Sequence, residues 1–130
     1  MVVLGIGGSA LGTRAVFEAL RGKYHNQKQG SKKLYILDNI DPESITDLEE
    51  QLTLSKTLFC VISKSGTTVE IHALTTYFMN VLKAHTPNWK EHFCYVLGEN
   101  YSKKSEIQKH FQTFSLADNI GGRFSVFTPV

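Results

Sequence analysis

Between Phe59 and Thr68 the chain reads Phe-Cys-Val-Ile-Ser-Lys-Ser-Gly-Thr-Thr. Ser63, Ser65, Thr67 and Thr68 crowd four hydroxyls into six residues, with Lys64 and Gly66 among them. Neutral donors gathered beside one cation suit a bulky anion such as a phosphate ester. Gly66 lets the backbone approach that anion closely. Helix capping accounts for one or two hydroxyls before a helix. Four hydroxyls and a lysine exceed what a cap uses.

The elements that must position these groups follow from hydrophobic pattern. Leu58 to Ile62 is a short apolar run, expected as a strand buried on both faces of a parallel sheet. Thr68 to His85 reads as the longest helix, with Val69, Ala73, Leu74, Tyr77, Phe78, Val81 and Leu82 expected on its inward stripe. Strand, hydroxyl-rich turn and helix N-terminus in that order bring free N–H groups and the positive end of a helix dipole to one place. A second loop of this kind opens the chain: Gly5-Ile6-Gly7-Gly8-Ser9-Ala10 lies between a strand (Met1 to Gly5) and a helix running to about Gly22. Gly5-x-Gly7-x-x-Ala10 also matches the loose dinucleotide fingerprint, a weak signal alone.

Further strands are expected at Leu34–Leu37, Phe93–Leu97 and Phe114–Leu116. Asp41-Pro42-Glu43 is a strong helix start, with Asp as N-cap and Pro at the first helical position. A short polar helix is expected over Ser102–Phe111, and an extended segment from Phe124. The alternation gives a doubly wound α/β fold, a five-stranded parallel sheet in the flavodoxin-like order 2-1-3-4-5 with right-handed crossovers. In that order strands one and three are neighbours at the topological switch. Their two glycine- and hydroxyl-bearing loops then converge on one crevice.

The remaining composition narrows the classes. The 130 residues form a single domain, 1–130. A formal charge of +2, from 14 basic and 12 acidic residues, is too balanced for a nucleic-acid or anionic-membrane binder. No apolar run approaches the roughly 20 residues that span a bilayer. The start is glycine-rich with no basic n-region, unlike a signal peptide. Cys60 and Cys94 fall in strands as buried free thiols, without the paired spacing of a zinc site or disulfide framework, which fits a reducing, cytoplasmic setting. The first strand begins almost without lead-in and the chain stops at Thr128-Pro129-Val130 in mid-element, so the sequence is expected to be a segment of a longer protein. A nicotinamide domain would use the first loop and Asp38, but it leaves the hydroxyl cluster unexplained. Asp38 is instead expected to cap Asn39 or Ile40 at the strand end. The five histidines are expected in loops or on helices, away from chemistry. Glu70 is expected to complement its helix dipole.

Three blocks carry a family resemblance: Gly5-Ile6-Gly7-Gly8-Ser9, Ser63-Lys64-Ser65-Gly66-Thr67-Thr68 and Gly121-Gly122-Arg123-Phe124-Ser125. In this order they resemble the signature blocks of the glucose-6-phosphate isomerase family, within the sugar isomerase (SIS) domains. The third block, with Thr128-Pro129-Val130, is the one that points to this family. The resemblance implies that Gly8 and Ser9 contact a sugar phosphate. It implies that Ser63, Lys64, Ser65 and Thr68 hold its phosphate, with Gly66 and Thr67 shaping the loop, and that Gly122 belongs to the same site. Arg123 would stabilise an enediolate, since a fixed guanidinium beside developing charge counts most in a desolvated site. Some members carry a threonine where this chain has Ile71. The family's reaction, in glycolysis and gluconeogenesis, interconverts glucose 6-phosphate and fructose 6-phosphate, and the full-length enzyme is expected as a homodimer. The glutamate, histidine and lysine that complete that chemistry have no match here, so the segment alone is expected to be inactive. A non-catalytic SIS-domain sensor of sugar phosphate is the other open alternative.

Overall fold

The computed structural model describes residues 1–128, so the Pro129-Val130 end of the third block lies outside the described residues. Strands β1 (Val2–Leu4), β2 (Tyr35–Leu37), β3 (Phe59–Ser63), β4 (Phe93–Gly98) and β5 (Gln112–Leu116) form one sheet in the order β2-β1-β3-β4-β5. Every pairing is parallel. Helices α1 (Gly8–Arg21), α2 (Pro42–Gln51), α3 (Val69–His85) and α4 (Glu99–Lys104) make the connections. The doubly wound order read from the sequence is the order of the structure.

Register sorts the side chains. Val2 pairs with Phe59 and Phe59 with Phe93; Leu4 pairs with Val61 and Val61 with Tyr95. These residues share one face and pack against Leu48 of α2 and against Ile71, Leu74, Phe78 and Leu82 of α3. Phe59 sits between Phe78 and Phe93, with ring centroids 4.7 and 5.3 Å away. Burying each such side chain stabilises the fold by about 1.5–3 kcal/mol. The buried stripe of α3 is therefore Ile71, Leu74, Thr75, Phe78 and Leu82. Val69 (76% exposed) and Tyr77 (40%) face water, so the expected stripe is rotated. The period was right, but the angle was set by how α3 lands on the sheet.

The opposite face carries Val3, Cys60, Ile62 and Val96 and is covered by α1 and a 3₁₀ turn, Gly122–Phe127. Cys60 and Ile62 remain half-buried, so β3 is fully covered on one face only. Cys60 and Cys94 are free and in register on adjacent strands. The two thiols interact across the strand pair, which raises the pKa of Cys60 and lowers that of Cys94. Two late segments differ from expectation. Ser102–Phe111 is split between the end of α4 and a 3₁₀ turn, Glu106–Lys109. Phe124–Phe127 is not extended but coiled, because Ser125 Oγ donates to the Gly122 carbonyl at 2.8 Å and Val126 packs onto Gly12 of α1.

Candidate functional site

Three loops, those after β1, β3 and β5, meet beside the start of α4 above the C-terminal ends of the strands. The first follows β1 and turns at Gly7, whose φ of 58° and ψ of −121° suit only glycine. Gly8 then opens α1 directly against the third loop: a Cβ there would lie 2.6 Å from Arg123 N and 2.8 Å from the Gly122 carbonyl. The absence of a side chain at Gly8 is what admits the Gly122–Arg123 backbone.

The second loop follows β3. Ser63, buried, accepts the Gly66 N–H on its Oγ at 3.1 Å and keeps its own proton free to donate. Ser65 Oγ accepts from Thr67 N at 3.2 Å and from Thr67 Oγ1 at 3.1 Å. Thr68 is the N-cap residue of α3, in extended conformation, and its side chain makes no capping bond. Capping is therefore not what its hydroxyl does.

Lys64 ties this loop to the third. Its Nζ donates to the carbonyls of Asp118 at 2.6 Å and Ile120 at 2.8 Å. The Lys64 carbonyl accepts from Gly98 N at 3.1 Å, and Asp118 Oδ2 accepts from Asn100 N at 3.0 Å. The loops after β3, β4 and β5 are sewn together around one ammonium and one carboxylate.

Between the loops lies an open cavity of about 540 Å³, large enough for a small phosphorylated ligand. Gly8, Ser9, Ser63, Lys64, Ser65, Thr68 and Gly122 line it. Ile71 lines it too, an apolar group buried at 4% exposure among the hydroxyls. Gly66 and Thr67 stand outside the wall, Gly66 at a φ of 66° beneath the Tyr101 ring. Arg123 is exposed; its guanidinium lies over the Phe124 ring, 5.3 Å from the centroid, and is not brought into the cavity wall.

Asn100, Tyr101 and Asp118 line the cavity and were not anticipated. They follow β4 and β5, where no block of unusual composition marks them. Asp38 does not cap the strand end: Arg14 Nη2 donates to its Oδ2 at 2.8 Å, and Asn39 Oδ1 takes the local turn by accepting from Asp41 N. Of the histidines, His72 reaches the second loop, donating from Nε2 to the Gly66 carbonyl at 2.7 Å. Glu70 stands in the first turn of α3, where its charge complements the helix dipole. Among the described residues no three His, Cys, Asp or Glu side chains group to hold a metal, and no helix is long and apolar enough to cross a membrane.

An all-parallel doubly wound sheet, with hydroxyl-lined helix N-termini converging at the switch between β1 and β3, defines a domain of the doubly wound α/β class. The profile of the family described as phosphoglucose isomerase matches residues 1–130. The chain belongs to the phosphoglucose isomerase family. It is 38% identical to the glucose-6-phosphate isomerase of Carboxydothermus hydrogenoformans, covering 99% of this chain and 29% of that protein. It is 34% identical to a probable glucose-6-phosphate isomerase of Methanococcus maripaludis, covering 100% of this chain and 30% of that one. The crystal structure of a glucose-6-phosphate isomerase from Chlamydia trachomatis superposes with a TM-score of 0.78 at 34% identity, over 95% of this chain and 23% of that chain. A Thermus thermophilus protein of hypothetical function gives 0.80 at 32% identity, over 98% of this chain and 30% of that one. The chain spans less than a third of the length of these relatives.

Proposed function

We propose that this chain is the phosphate-binding domain of a longer glucose-6-phosphate isomerase, and that the cavity between its loops takes the phosphate end of glucose 6-phosphate or fructose 6-phosphate. The observation that carries the reading is the start of α3. Its N-terminal amides and the Thr68 hydroxyl have no side-chain cap, and they open onto the same cavity as Ser63, Ser65 and Ser9. An anion there meets the positive helix end and uncommitted donors together. Each hydrogen bond to a charged oxygen contributes about 1.5–3 kcal/mol. Lys64 keeps its charge in the cavity wall while its protons hold the third loop, so it attracts the anion without having to leave Asp118 and Ile120.

Aldose–ketose isomerisation moves a proton between C2 and C1 through an enediolate, which needs a base within hydrogen-bond reach. The carboxylate found in the cavity wall, Asp118, accepts from Asn100 N at the start of α4 and holds the loops together. The base is thus assigned to the part of the full-length protein beyond this segment, as are its ring-opening groups. Arg123, whose backbone is anchored against Gly8, would swing its guanidinium from Phe124 toward the reacting carbons once substrate fills the cavity. The full-length protein is proposed to act as a homodimer in the cytoplasm.

Calorimetric titration of the full-length protein with 6-phosphogluconate tests the site. Saturable one-site binding, competed by inorganic phosphate, is expected; no heat, or binding unaffected by phosphate, would sink the proposal. The isolated 130 residues are expected to show no isomerase turnover, and clear turnover would place the base inside this segment after all.

A further inference from the structure

We propose that His72 is a positioning residue for the second loop, fixing the Gly66–Thr67 peptide from behind so that Ser63 and Thr68 present their hydroxyls to the ligand. The inference rests on the phosphate-binding reading above and adds to it a residue that touches no ligand. His72 stands on the first turns of α3 and lines a separate cavity of about 160 Å³ beneath the loop, together with Thr75 and Tyr101; it is absent from the wall of the larger cavity. Its Nε2 donates to the Gly66 carbonyl at 2.7 Å. The other end of the same peptide, Thr67 N–H, donates to Ser65 Oγ at 3.2 Å. A planar trans peptide gripped at both ends cannot rotate.

The preceding peptide is held as well, since Gly66 N–H donates to Ser63 Oγ at 3.1 Å. Gly66 itself takes a φ of 66°, and the Tyr101 ring covers its Cα, so the turn relies on an unbranched residue and on these hydrogen bonds. Drawing the Gly66 carbonyl toward His72 also commits that oxygen to a donor on the far side of the loop, where it does not face an incoming anion. The Gly66 carbonyl accepts, so Nε2 must carry a proton, which both the neutral Nε2–H tautomer and the imidazolium provide.

The test compares His72→Phe, which keeps a ring and removes the donor, with His72→Gln, whose amide offers an N–H at similar reach. In the full-length protein, affinity for 6-phosphogluconate and for inorganic phosphate is measured at constant ionic strength, alongside amide hydrogen exchange of residues 65–68 without ligand. Loss of one hydrogen bond that orders the loop is expected to weaken both probes by about tenfold in His72→Phe, with faster exchange at Gly66–Thr68. His72→Gln should restore most of the affinity and the protection. Unchanged affinity and exchange in His72→Phe would overturn the inference while leaving the phosphate site standing. If the unsubstituted protein binds neither probe, the phosphate reading fails, and the exchange comparison still decides whether His72 holds the loop.

Discussion

Helices α2 and α3 both begin just after a strand, yet their N-termini are finished in opposite ways. At α2, Asp41 Oδ2 accepts from Ser44 N at 2.8 Å and from Ser44 Oγ at 2.7 Å, and Pro42 fills the first helical position. That end satisfies itself and sits in solvent. At α3, the N-cap Thr68 makes no side-chain cap, and the neighbouring hydroxyls bond across the loop or face a cavity. A helix end that satisfies its own amides serves the fold. One left open above a cavity, ringed by donors, is arranged for a guest that brings its own acceptors.

The contrast breaks most readily at α3. Replacing Ser63 and Thr68 together with alanine is expected to weaken 6-phosphogluconate binding by about 3 kcal/mol or more, and to lower stability by about 1–3 kcal/mol because the Gly66 N–H loses its partner. Unchanged affinity by calorimetry would make the two helix ends equivalent. Next comes Gly8→Ala, which forces a methyl into the Gly122–Arg123 backbone and should cost about 1–3 kcal/mol of stability by overpacking. Loss of ligand affinity larger than the loss of stability, from denaturant titration, would show that the third loop was displaced from the cavity.

At α2 the expected pattern is inverted. Asp41→Ala should lower the unfolding midpoint by a few degrees and leave ligand affinity alone. The smallest effect is one of pH. The Ser44 hydroxyl and amide hold the Asp41 carboxyl below its ordinary value of 3.8. Its contribution is therefore present above that value and is lost as pH falls through the lower, folded-state pKa. The stability difference between the unsubstituted chain and Asp41→Asn should accordingly shrink in acid below that range; a difference that grows there would contradict the capping geometry.

Much of the fold was legible because it rests on short-range pattern. The apolar runs at Val2–Leu4, Phe59–Ile62 and Phe93–Leu97, alternating with amphipathic stretches, left few topologies open, and the flavodoxin-like order expected for five such strands is the observed one. Ser9, Ser63, Lys64, Ser65 and Thr68 were legible as one site for the same reason: the order places strands one and three side by side. Asn100, Tyr101 and Asp118 were not, since residues that enter a site through strands four and five carry no local mark. The orientation of Arg123 over Phe124 was likewise hidden in an ordinary Gly-Gly-Arg turn.

The sequence by itself determined local chemistry within its elements, such as the start of α2. Asp41 meets Ser44 three residues on, and such bonds form wherever the chain is put. Only the tertiary structure decided what those elements touch. Lys64 finds the Asp118 and Ile120 carbonyls, and Gly8 the Gly122 backbone, across more than fifty residues of chain. Contacts of that span depend on the stacking order and tilt of whole strands and helices, which no neighbouring residue encodes.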